Sequence, residues 1–96
     1  MNVQILEEAA DDLADGFRFY EQQADGLGEY FLDSLWSDIL SLRIYGGVHD
    51  VHYGYFRLLA KRFPYAVYYR IEDNTARVRA VLDCRRSPTW ISNRLK

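Results

Sequence analysis

Three sets of side chains in this sequence could do chemistry. His49, Asp50 and His52 crowd a loop that opens with Gly46-Gly47, and imidazoles beside a carboxylate can hold a metal or move protons. Asp83 and Cys84 stand just before Arg85-Arg86, where a carboxylate could act as a general base. The third set is cationic: Arg57, Lys61, Arg70, Arg77, Arg79, Arg85 and Arg86. Such groups suit the phosphates or carboxylates of a macromolecule. The histidine loop offers too few ligands for a closed zinc site, so it is expected to be structural, and no metal or cofactor is expected. Asp83 is expected to pair with the arginines around it. Cys84 is expected to be a small buried apolar residue, and Trp36 and Trp90 to be packing anchors.

The cations are not spread evenly. Residues 1–50 carry eleven acids and two bases, whereas residues 51–96 carry three acids and ten bases. The net charge of −2 conceals this division. Charge asymmetry between halves points to a macromolecular partner of opposite sign, either nucleic acid or an acidic protein.

Ninety-six residues with 49% apolar and 16% aromatic content make one domain, 1–96, with a true core. The single cysteine excludes an intrachain disulfide and fits a reducing cytoplasm. No apolar run approaches the roughly 18 residues of a membrane span. The N-terminus shows no basic start followed by an apolar stretch, so neither a signal peptide nor a membrane partner is expected.

The elements that must position these groups follow from periodicity. Asn2–Leu6 alternates like a short strand. From Glu7 the spacing turns helical, with Ala10, Leu13, Phe17 and Tyr20 as the apolar stripe of a helix over 7–24. Early acids suit its N-terminal dipole. Gly16 costs this helix about 1 kcal/mol relative to Ala. Asp25-Gly26 and Gly28 break the chain, and a second helix covers 27–43. Its apolar set is too broad for one stripe, so a partner segment is expected to cover an apolar groove formed by this helix, around Leu32, Trp36 and Ile39, or by the sheet edge, with homodimerisation through the same helix as the alternative.

After the glycine pair the period becomes two. Strands are expected over Tyr55–Lys61, Tyr65–Ile71 and Thr75–Cys84, with Glu72-Asp73-Asn74 as a hairpin turn. Ser87-Pro88 reads as an N-cap and first helical residue of a short terminal helix. The expected fold is α+β, in the order β-α-α-β-β-β. An antiparallel helical hairpin covers one face of a small, largely antiparallel sheet. Alternation assigns Phe56, Leu58, Val67, Tyr69, Val78, Ala80, Leu82 and Cys84 to the helix side. Arg57, Lys61, Arg70, Arg77, Arg79, Val81 and Arg85 then share the opposite face. A one-residue bulge would flip part of this assignment.

Nearly the whole chain resembles the RelE/ParE superfamily of bacterial type II toxins. The likeness lies in Tyr20-Glu21-Gln22-Gln23, Gly26-Leu27-Gly28 and Phe31, then in Arg57 and the run Lys61-Arg62-Phe63-Pro64-Tyr65-Ala66-Val67-Tyr68-Tyr69-Arg70. It continues through Val81-Leu82-Asp83-Cys84-Arg85-Arg86-Ser87-Pro88 and Trp90. The resemblance implies a toxin neutralised by a cognate antitoxin whose C-terminal segment wraps it. It further implies contact with promoter DNA only through the antitoxin, and a role of the plasmid-stabilization kind.

Two activities exist within the superfamily. The RelE branch cuts messenger RNA on the ribosome, which calls for cations and proton-transfer groups. This chain keeps Arg57 and Arg86 at two matching positions. It has Leu59 and Ala66 where that branch is basic, and no Tyr or His after Tyr69. The ParE branch poisons DNA gyrase by binding, and the glycine-leucine-glycine hairpin leans that way. The expectation is a ParE-like toxin that is not an enzyme, with Arg57, Lys61, Arg85 and Arg86 in target or antitoxin contacts. The alternatives are a ribosome-dependent endonuclease using Arg57, Lys61 and Arg86 for phosphate, and an attenuated toxin that only binds its antitoxin.

Overall fold

The computed structural model describes residues 1–96. Strand β1 (Asn2–Ile5) leads into the helical hairpin α1 (Glu7–Glu21) and α2 (Leu27–Leu40), followed by the single turn α3 (Leu42–Tyr45). Strands β2 (Val51–His52), β3 (Tyr55–Leu59), β4 (Tyr65–Glu72) and β5 (Thr75–Asp83) form a meander, and α4 (Pro88–Arg94) closes the chain. The sheet order is β1-β5-β4-β3-β2, with β1 parallel to β5 and every other pair antiparallel. This is the expected α+β arrangement. Both helices end earlier than expected, and β2 is an additional two-residue strand.

Local chemistry explains the joints. Asp73 and Asn74 both have positive φ, 51° and 56°, as a two-residue type I′ hairpin requires. Gly26 precedes α2 at φ 85°, and α2 has no N-cap side chain of its own. Glu21 substitutes for one: its carboxylate accepts the Gly26 and Gly28 N–H groups at 3.1 and 2.9 Å. The end of α1 thereby satisfies the start of α2. Ser87 caps α4, accepting the Trp90 N–H at 3.1 Å, with Pro88 in the first turn.

The main core lies between the hairpin and the sheet. On α1 the buried stripe is Ala9, Leu13, Gly16 and Tyr20, displaced from the expected Ala10 and Phe17 register. Phe31, Leu35 and Ile39 come from α2, Leu42 from α3, and Val67, Tyr69, Ala76, Val78 and Val81 from the sheet. Gly16 is there for Phe31: a Cβ at position 16 would lie 2.5 Å from the Phe31 ring.

A second apolar cluster occupies the opposite face of the sheet: Tyr55, Ala66, Tyr68, Ala80 and Leu82, closed by Ile91 and Leu95 of α4. That face was expected to be basic and open. The difference arises at Arg79. Tyr68 pairs with Ala80 and Tyr69 with Val78, so Arg79 is an extra residue in β5. Such a bulge inverts the alternation beyond it. Val81 therefore joins the helix-side core, whereas Ala80 and Leu82 are buried beneath α4. Cys84 is exposed rather than buried.

Candidate interaction surface

The sequence-derived cations do not form one continuous field, because α4 and its apolar cluster occupy the middle of their face. Three groups result. Arg70, Arg77 and Arg79 gather where β4 and β5 meet β1. Arg57 lies across β3 from Tyr68 and lines a cleft of about 370 Å³ with Val48, His49, Asp50, Leu58 and Leu59. Arg86 flanks a larger cleft of about 510 Å³ whose walls include Phe19, Tyr65 and Trp90. Lys61 is exposed on the bend after β3, with its backbone N–H on buried Asp38 at 3.2 Å.

The arginines also differ in how far they are already engaged. Arg85 is paired with Asp83 at 2.7 Å, which lowers the Asp83 pKa and raises that of Arg85. Asp83 is thus an ion-pair partner, as its neighbours suggested. Arg79 is paired with Glu8 at 3.0 Å and donates to the Arg94 carbonyl at 3.1 Å. Arg86 is stacked 4.4 Å above the Trp90 ring. Arg57, Lys61, Arg70, Arg77 and Arg86 make no ion pair, so their charges remain open to a partner.

Of the residues expected to line a groove on α2, Trp36 is the most exposed. Ile39 is fully buried in the core, Leu32 packs partly against it, and Trp36 is about half exposed (49%). Exposed apolar surface lies further along the chain instead: Ile44, Tyr45, Val48 and Val51, with Leu59 on β3. Ile44 and Val48 are 80% and 72% exposed. Here the sheet edge is also open. β2 pairs only with Tyr55 and Phe56, and Arg57 N–H reaches the Asp50 carbonyl at 2.9 Å. No strand covers Leu58 and Leu59 on that side, and open edges of this kind invite another chain. The sequence signal was the cluster of apolar residues around Gly46-Gly47, outside any periodic element.

The histidine loop is tied to the core. The buried Tyr69 hydroxyl accepts the Gly47 N–H at 2.9 Å and contacts His49 Nδ1 at 2.5 Å. Which of the two rings donates follows the imidazole tautomer. Burial lowers the His49 pKa from its ordinary value, partly opposed by Asp50. Arg57 is the other charged group lining the cleft at this loop. Taking the charged ring out of water is costly, so the neutral ring favours the folded loop. The sign follows: the folded pKa is depressed, so this stabilisation is present above the ordinary imidazole range and lost as pH falls through the depressed value. Urea unfolding between pH 7.5 and 5 should show this loss, and His49→Gln should flatten that part of the profile.

The other titrating groups are poor nucleophiles. Partial desolvation by its neighbours raises the thiol of the otherwise exposed Cys84, and Tyr65 is pushed up to about 12, chiefly by burial. Tyr68, whose phenol is a proton donor by type, is 2% exposed in the cluster beneath α4. No helix is long and apolar enough to cross a membrane.

A strand, a helical hairpin, an antiparallel meander and a capping helix define a small α+β class of fold. The same fold occurs in one chain of the chromosomal ParDE TA system from P. aeruginosa. The two superpose with a TM-score of 0.73 over 84% of this chain and 92% of that one, at 15% sequence identity. No protein-family model and no curated protein sequence matches the chain.

Proposed function

We propose that this protein is the toxin of a type II toxin–antitoxin module, ParE-like in acting by binding to DNA gyrase, and that a cognate antitoxin neutralises it in the cytoplasm. The fold shared with a chain of a ParDE system supports the module. One observation carries the choice of binding over catalysis: the tyrosines and histidines beside Arg57 and Arg86 are buried or engaged, and His52 lines neither of their clefts. Tyr68 is buried, His49 is engaged with Tyr69, and no Tyr or His follows Tyr69. Cations alone give electrostatic stabilisation, and general acid–base catalysis adds about 100- to 10,000-fold. The antitoxin's acidic C-terminal segment lies along the apolar surface from Ile44 to Val51 and the β3 edge, facing Arg57 and Lys61. Arg86, on its Trp90 platform, contacts the target.

The test is a pair of assays on the purified protein. Gyrase supercoiling should be inhibited, or its cleaved DNA trapped, while ribosome-bound messenger RNA stays intact. Arg86→Ala should weaken inhibition by one to two orders of magnitude, because a charge-assisted contact contributes roughly 1.5–3 kcal/mol. Message cutting at codon boundaries, abolished by Arg86→Ala, would establish the endonuclease reading instead. Antitoxin binding with neither activity would identify an attenuated toxin.

A further inference from the structure

Arg70 and Arg77 are direct partners across β4 and β5. Like charges so placed repel and destabilise a sheet. Neither has a carboxylate within ion-pair distance, so the fold itself does not account for the pair. Together with Arg79, Tyr55, Leu6 and Glu72 they line a cavity of about 250 Å³ on the outer face of the sheet.

Two of the three guanidinium groups are preset. Arg70 lies 4.0 Å above the centre of the Tyr55 ring, and its Nε donates to the Gly54 carbonyl at 3.1 Å. Its terminal nitrogens remain unclaimed. Arg79 is fixed by Glu8 and the Arg94 carbonyl, so it forms a charged wall. Arg77 has no side-chain hydrogen bond, and its whole fork is unclaimed. Groups held in place before binding lose little freedom when a ligand arrives.

We propose that this cavity is a binding site for a phosphate monoester. Arg70, Arg77 and Arg79 outnumber Glu72 and the Glu8 paired with Arg79, so the site is net positive and favours an anion. A planar carboxylate is satisfied by one guanidinium fork, whereas a tetrahedral phosphate offers oxygens to forks arriving from two strands. The cavity admits one such group. A continuous polynucleotide would meet Glu72 in the cavity wall and Glu8 beside Arg79. The phosphate therefore belongs to a small phosphorylated compound or to the terminus of a nucleic acid strand. The cavity shares no lining residue with the clefts of Arg57 and Arg86, and it stands whether or not the chain inhibits gyrase.

The experiment follows backbone amides of the full chain by NMR at constant ionic strength. The titrants are inorganic phosphate, AMP, adenosine, and a short oligonucleotide with and without a 5′-phosphate. Phosphate and AMP should give saturable shifts at Tyr55, Arg70 and Arg77, and adenosine none. Stronger binding of the 5′-phosphorylated oligonucleotide than of AMP identifies a strand terminus, and equal or weaker binding a small compound. Arg77→Gln should weaken binding at least about tenfold. It should not lower the unfolding midpoint, since it relieves the Arg70 repulsion. Glu72→Gln should strengthen binding several-fold. Shifts that fail to saturate, that persist in Arg77→Gln, or that chloride reproduces would overturn the proposal. Equal binding of the unphosphorylated oligonucleotide would overturn it too, because contact would then be with the diester backbone.

Discussion

Phe31→Ala should destabilise the protein by about 3–5 kcal/mol, a large fraction of the roughly 5–15 kcal/mol available to a domain of this size. The ring is fully buried and joins four segments of chain. It stacks on Tyr20 of α1 at 5.1 Å and meets Phe63 and Tyr65 edge-on at 5.1 and 4.9 Å. Truncation removes those contacts and leaves a void that helices anchored at both ends cannot fully close. The same ring explains Gly16. Exchanging Gly for Ala in a helix interior ordinarily stabilises by about 1 kcal/mol. Here the added methyl meets the Phe31 ring 2.5 Å away, so Gly16→Ala should destabilise, by about 1–3 kcal/mol. In the Phe31→Ala background the methyl enters the void, and Gly16→Ala should become stabilising. Urea midpoints of the four proteins measure this change of sign. Additive effects would show that the two positions do not share one packing site.

That contact marks how far the sequence could be read. The change from helical to period-two spacing near Gly46-Gly47 located the hairpin and the meander. Asp73-Asn74 announced its turn because few other residues accept positive φ at both positions. The face assignments beyond Arg79 were not legible. A bulge leaves no compositional mark of its own, and the run Ala80-Val81-Leu82 that follows it is apolar at both parities. Ala9 and Ala10 offered two registers for α1, and only the position of Phe31 separates them. The cations were legible as a set. Their division into three groups was not, because it depends on Ile91 and Leu95 reaching the outer face. It depends also on ion pairs between residues 71 and 82 positions apart.

The second large effect concerns the longest of those connections. Asp12→Ala should destabilise by roughly 2–4 kcal/mol and release α4 from the sheet. β1 ends at Ile5 opposite Val78, so β5 beyond the Arg79 bulge has an uncovered edge. Asp12 of α1 covers it. Its carboxylate accepts the Val81 N–H at 3.0 Å and both terminal nitrogens of Arg94 at 3.1 and 3.0 Å. The Asp12 and Arg94 side chains are 13% and 24% exposed, so losing one leaves the other poorly solvated. Burial pushes the Asp12 carboxyl up from its ordinary value, against the pull of Arg94 and the Val81 N–H. Desolvation therefore offsets much of the attraction, and the pair contributes more to the placement of α4 than to net stability. That distinction is measurable. Asp12→Ala and Arg94→Met should each lower the urea midpoint, with Asp12→Ala the larger because it also strands the Val81 N–H. Asp12→Leu combined with Arg94→Met should recover a substantial part of the loss, since neither buried charge remains. Release of α4 exposes Ile91 and Leu95, so the single variants should bind a hydrophobic dye before global unfolding. A double variant no more stable than the worse single one would mean that the ion pair itself holds the fold together.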